Sequence, residues 1–191
     1  MIISIRGTNG SGKSTVVREL MRCACTCSPL YGVLGLRKPE AYRLELSGQR
    51  TYVLGPYDTR SACGFDGITN YDHQPALIRK YAVVGHVVFE GLISSKLWGR
   101  VGAVFEELAP VQGVALLFLT TPLEECIRRV VERRCRAGDE RIFNDKNLRA
   151  VYDACRGNLT AVRRKQIKGV AIHEVPSEEA ATLCLRLLGG A

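Results

Sequence analysis

The chain opens on Ile2–Arg6, a β-branched apolar run. The period then changes, with Val16, Val17, Leu20 and Met21 recurring at helical spacing over Ser14–Cys23. A strand, a glycine-rich loop and a helix are predicted. Val33–Leu36 reads as a second buried strand. Tyr42–Leu46 and Thr51–Leu54 alternate about Ser47-Gly48-Gln49, which predicts a small hairpin beside the sheet. Gly55–Asn70 has no period and is dense in Gly, Asp, Thr and Ser, so a long ordered loop is expected there, of the kind that usually carries function. Farther on, Asp72–Val84 and Ser94–Leu108 read as helices flanking a buried strand, His86–Phe89, that ends at Glu90-Gly91. Gly113–Thr120 is the most apolar strand. Thr120-Thr121-Pro122 looks like a helix entry, with a threonine cap and a proline at the first turn, and Gly138 stops that helix. Asp145–Lys168 is mostly helical, Val170–Val175 is a last strand and Glu178–Leu188 a closing helix. Buried strands alternating with helices imply an α/β fold with a parallel sheet covered on both faces.

With 191 residues the chain is long enough for one good core, so a single domain over residues 1–191 is expected. Hydrophobic residues at 46% and charged residues at 24% exclude a disordered or collagen-like chain. No apolar run could cross a bilayer, and the first residues lack the pattern of a secretory signal, so a cytoplasmic protein without membrane contact is expected. The eight cysteines then read as free thiols, because Cys23-x-Cys25-x-Cys27 is not the spacing of a structural zinc pair. Charge is unevenly spread. Pro122–Lys168 holds 13 Lys/Arg against 7 Asp/Glu within a chain of net charge +8, the footprint of a polyanionic partner or, otherwise, of a solvated helical face.

Gly7-Thr8-Asn9-Gly10-Ser11-Gly12-Lys13-Ser14 fits G-x-x-x-x-G-K-[ST] and lies between a predicted strand and a predicted helix, which Thr15 continues. Glycines let successive backbone N–H groups face one anion, and the helix N-terminus adds partial positive charge. Lys13 neutralises outer phosphates and the Ser14 hydroxyl ligates Mg²⁺. ATP and Mg²⁺ are therefore the expected donor and metal. Glu90 ends a neighbouring buried strand, where it can hold Mg²⁺ or accept the proton of an attacking hydroxyl. The helix after Pro122 carries Arg128, Arg129, Arg133, Arg134 and Arg136, with Arg129 and Arg133 one turn apart on one flank. Arginines that arrive as a lid closes can match the charge on a moving phosphoryl group. Arg134 could point into the crevice as well, and Arg136 and Arg141 flank a lid tip at Gly138-Asp139.

The loop at 7–14, Phe89-Glu90-Gly91 and the helix Thr121-Pro-Leu-Glu-Glu-Cys-Ile-Arg-Arg-Val-Val-Glu-Arg-Arg resemble the thymidylate kinase and deoxynucleoside kinase superfamily over nearly the whole chain. The resemblance implies a three-layer P-loop kinase fold, with a five-stranded parallel sheet, helices on both faces and a helical lid at about 133–145. Gly55-Pro-Tyr-Asp-Thr-Arg60, Cys63-Gly-Phe-Asp66 and Gly85-His-Val-Val-Phe-Glu-Gly91 resemble a bacteriophage branch of it that includes the 5-hydroxymethyluracil DNA kinases. That implies ATP-dependent phosphorylation of the hydroxymethyl group of 5-hydroxymethyl-2′-deoxyuridine in DNA, a step of thymidine hypermodification. The Asp-Arg-Tyr-like triplet of thymidylate kinases is missing after the strand that here gives Glu90-Gly91-Leu92. Its arginine helps hold a monophosphate acceptor, so its absence favours an acceptor without one. Asp58, Arg60 and Asp66 are then candidates for the acceptor side, through a ring N–H and a flanking phosphate, unless they only bond their own turns. Tyr57 and Phe65 could stack on a base. The alternatives are a thymidylate or deoxynucleoside (mono)phosphate kinase and a nucleotide-dependent DNA-binding ATPase module without an acceptor.

Overall fold

A computed structural model describes residues 1–32, 38–46, 48–57, 64–139 and 141–189. The strand expected at Val33–Leu36 lies outside these residues, as do Asp58, Arg60 and Cys63.

The strands are β1 (Ile2–Arg6), β2 (Thr26–Leu30), β3 (Ala41–Leu46), β4 (Gln49–Leu54), β5 (His86–Glu90), β6 (Val114–Leu119) and β7 (Val170–Val175). They form one sheet in the order β2-β3-β4-β5-β1-β6-β7. β4, β5, β1, β6 and β7 run parallel, whereas β3 and β2 are added antiparallel at one edge. Among the described residues the sheet therefore has seven strands, the five parallel ones extended by two more, rather than five in all. The expected hairpin does form, as β3 and β4, but it is part of the sheet and not beside it. β2 escapes periodicity because it is an edge strand with largely exposed residues, and an edge tolerates its Pro29.

The helices are α1 (Lys13–Cys23), α2 (His73–Ala82), α3 (Leu92–Lys96), α4 (Gly102–Gln112), α5 (Leu123–Arg136), α6 (Lys146–Lys165) and α7 (Ala180–Gly189). The single helix expected over Ser94–Leu108 is broken. α3 ends at Leu97 in an extended conformation, and a 3₁₀ turn at Trp98–Arg100 precedes α4. Among the described residues no helix is long and apolar enough to cross a membrane.

All five residues of β1 are buried, as expected of a central parallel strand covered on both faces. On one face Ile2, Phe65, Leu77, Phe89, Phe105 and Leu116 pack together. On the other, Ile3 and Ile5 meet Val16, Val17 and Leu20 of α1 and Cys184 and Leu188 of α7. A smaller cluster of Cys126, Val130 and Leu148 joins α5 to α6. Arg6 is wholly buried, with its guanidinium 5.5–5.7 Å from the ring centres of Trp98, Phe105 and Phe118. The ring faces offset part of the cost of burying that charge, and burial still pushes its pKa down to about 9. Register fixes the site. Ile5 stands opposite Glu90 and Arg6 opposite Phe118, so β5, β1 and β6 end together where the glycine loop begins.

Candidate active site

The turn from β1 into α1 forms the floor of the site. Gly10 and Gly12 have φ of 80° and 100°, conformations that side chains rarely adopt but that let the loop curl its amides inward. A Cβ on Gly10 would also stand 2.3 Å from the carbonyl oxygen of Cys126, so α5 presses directly on the loop. Gly10→Ala is therefore expected to distort the cradle and weaken ATP binding about tenfold or more, measured by titration calorimetry.

Lys13 is buried, and its Nζ donates to the Thr8 carbonyl oxygen at 2.9 Å. The Ser11 hydroxyl donates to the same carbonyl at 2.8 Å. Partners remote in sequence hold the loop from outside. Gly7 N–H donates to Ser95 Oγ at 3.1 Å, Asn158 Nδ2 donates to the Ser95 carbonyl oxygen at 2.8 Å, and Thr121 Oγ1 donates to the Ser11 carbonyl oxygen at 2.9 Å. Thr121 thus braces the loop rather than capping α5, whose cap position is Pro122. Asn9 and Thr15 are exposed.

Glu90 is 3% exposed, and the Ser14 hydroxyl donates to its Oε1 at 2.7 Å. The backbone at Gly64, in the connection between β4 and α2, lies over this carboxylate, since a Cβ there would sit 2.4 Å from Oε1. Burial pushes the Glu90 carboxyl above the usual carboxylate range. Lys13, the Ser14 hydrogen bond and Arg18 pull it back in part, and Asp66 adds to the rise. A hydroxyl and a carboxylate in contact are hard oxygen donors, the kind Mg²⁺ takes together with phosphate oxygens. Ser14 and Glu90 therefore fit that ion, and the buried Lys13 fits a triphosphate.

Asp66 lies beside Glu90 and is bound to backbone. Its carboxylate accepts from the backbone N–H groups of Leu92 and Ile93, so it ties the loop to the start of α3, just beyond Glu90. Phe65 and Tyr57 are buried and offer no open stacking surface. Phe65 packs on Phe89 with ring centres 4.5 Å apart, and Tyr57 meets Tyr42 edge-on at 6.2 Å.

The arginines of α5 divide. Arg129 is held by Glu125 at 2.6 Å and reaches both the Gly10 carbonyl oxygen and Ser177 Oγ at 3.5 Å, linking α5, the glycine loop and the β7–α7 connection. Arg133, one turn on, is exposed and its side chain makes no hydrogen bond or ion pair among the described residues. Arg134 turns toward the α5–α6 connection rather than the crevice, bonding Asp139 at 3.0 Å and the Arg141 carbonyl oxygen at 3.2 Å beneath Phe143. Arg128 is paired with Glu125 and Glu132, Arg136 with Glu132, and Arg141 with Asp139. Ser95, Asn158 and Ser177 carried no sequence signal, because each acts across a long separation in the chain.

No protein-family model matches the chain. It is 31% identical over 191 residues to a 5-hmdU DNA kinase of Pseudomonas phage PaMx11, an alignment covering 98% of this chain and 96% of that protein. It is 30% identical over 141 residues to a 5-hmdU DNA kinase of Pseudomonas phage M6, covering 69% of this chain and 71% of that one. Among solved structures, a deoxyadenosine kinase from M. mycoides with products dCMP and dCDP bound aligns over the whole of both chains, with a TM-score of 0.49 and 12% identity.

Proposed function

The chain belongs to the 5-hmdU DNA kinase family of bacteriophages, and from that premise we propose that it transfers the γ-phosphoryl group of ATP to the hydroxymethyl oxygen of 5-hydroxymethyl-2′-deoxyuridine in DNA. The observation that carries this reading is the half-buried contact of Ser14 with the buried Glu90, beside Lys13 at the mouth of the glycine loop. A cation, a metal-binding hydroxyl and a carboxylate of raised pKa share one crevice.

In this reading the amides of Gly7–Ser14 cradle the triphosphate and Lys13 neutralises its outer oxygens. Mg²⁺, held through Ser14 and Glu90, would offset charge on the phosphate oxygens. Glu90 orients the acceptor hydroxyl and takes its proton as oxygen bonds to phosphorus. Burial keeps water out of the crevice, so transfer to an alcohol wins over hydrolysis. Arg129 already rests on the loop, and Arg133, whose side chain has no partner among the described residues, stands one turn along the same flank, available as the lid at about 133–145 closes. Gly91-Leu92, standing where a monophosphate-gripping arginine would be needed, supports an acceptor without a terminal phosphate of its own. Asp58 and Arg60 remain candidates for the acceptor side. We take the active unit to be one kinase domain.

The test supplies γ-labelled ATP and Mg²⁺ with hydroxymethyluracil DNA, and in parallel with free thymidine, thymidine monophosphate or 5-hydroxymethyl-deoxyuridine. Label in polymer is expected. Label confined to mononucleotides overturns the DNA acceptor, and phosphate release without a labelled product would leave an ATPase.

A further inference from the structure

A cleft opens behind the glycine loop, between it and α6. Its walls include Thr8, Phe118, Thr121, Tyr152, Cys155 and Arg156. Thr8 is 2% exposed and its hydroxyl has no hydrogen-bond partner among the described residues, an unmet polar group in a wall of mixed polar and apolar side chains. Tyr152 and Arg156 are four residues apart on α6 and so share one face of that helix. The charges around them are not equivalent. Arg149 is paired with Asp145 and Glu124, and Arg163 with Glu174, which also lines the cleft and is neutralised by that pairing. Arg156 is exposed and has no acidic partner among the described residues.

A phenol ring at the edge of a slot, with an uncommitted guanidinium one turn away, is the arrangement that stacks a base and holds its phosphate. We propose that the base of a nucleotide flanking the target in DNA lies across the mouth of this cleft, with Tyr152 stacked on it and Arg156 bonded to the adjoining phosphate. The inference rests on the DNA-acceptor reading above and adds a second contact to it. Sheet order sets the distance. Glu90 ends β5 and the cleft stands at the end of β6, with β1 between them. Two strand spacings amount to about 10 Å, and a stacked strand rising about 3.4 Å per nucleotide spans that in roughly three steps. The flanking contact should therefore fall within about three nucleotides of the target.

The test uses oligonucleotides carrying one hydroxymethyluracil and one abasic residue, moved through the three positions on either side. In the unmodified protein, an abasic residue at one of these positions is expected to lower kcat/KM for DNA about tenfold. Tyr152→Ala should lower kcat/KM on the intact oligonucleotide by a similar factor and abolish the further loss at that position, while Tyr152→Phe restores it. Arg156→Ala should raise KM for DNA rather than for ATP, and should reduce the salt dependence of DNA binding by a slope of about one. Indifference to the abasic residue at every position, or a penalty that survives in Tyr152→Ala, overturns the inference and leaves the DNA-acceptor reading standing. Failure of the unmodified protein to phosphorylate any of these oligonucleotides, with free nucleoside accepted, overturns both.

Discussion

Glu90→Gln is expected to lower phosphoryl transfer by roughly 10²- to 10⁴-fold, the range over which a positioned general base acts, while ATP affinity stays near that of the unmodified protein. The amide keeps an oxygen to accept the Ser14 hydroxyl, now 2.7 Å away, but it cannot take a proton. Single-turnover rates against ATP-binding titrations separate the two effects. The pH dependence adds a second signature. Because burial raises the Glu90 carboxyl, the unmodified enzyme should lose kcat/KM on the acid side at a pH above the ordinary carboxylate range, and the glutamine variant should lack that limb. Stability should move in the opposite sense. Between the unfolded and the raised folded value the native chain binds more protons, so folding stability falls as pH rises through that window and the loss persists above it. Glu90→Gln is therefore expected to melt at or above the temperature of the unmodified protein at neutral pH. A lower melting temperature would show that the carboxylate is a structural support and not a strained functional group.

Lys13→Ala is expected to remove transfer by 10²-fold or more, the cost of one preorganised charge at the reacting centre, and unlike the glutamate change it should weaken ATP binding as well. In the protein the Lys13 ammonium lies against the Thr8 carbonyl and its charge offsets part of the burial cost of Glu90. Deleting it should therefore move the remaining acid limb of the pH profile further upward. Residual rates followed from pH 5 to 9, with ATP affinity measured alongside, check this prediction. An unshifted limb would mean that the two groups do not sense one another in the working enzyme.

Much of this site was legible in the chain because its parts are local. A β-branched strand, a glycine loop and an amphipathic helix occupy consecutive residues, so spacing alone carries the phosphate cradle. Glu90 was readable because it ends an apolar run, and parallel strands bring their carboxyl ends together. The bracing contacts were not readable. Ser95 reaches Gly7 across 88 residues and Thr121 reaches Ser11 across 110, and neither distance leaves a periodic trace. The burial of Arg6 was no more readable, because the three aromatic rings that enclose it come from separate elements. Asp66 and Phe65 sit in a stretch with the composition of a binding loop, yet their side chains serve the α3 start and the core. β2 went unseen because its edge position leaves no buried alternation to detect.

The most direct measurement of the whole account uses covalently closed circular DNA, which has no termini to phosphorylate, prepared with hydroxymethyluracil and separately with thymine only. With ATP labelled at the γ position and Mg²⁺, the account predicts label in the hydroxymethyluracil circle, recovered after nuclease digestion on the modified nucleoside, and none in the thymine circle. Equal labelling of both circles, or of neither while linear ends or free nucleosides are labelled, would contradict it.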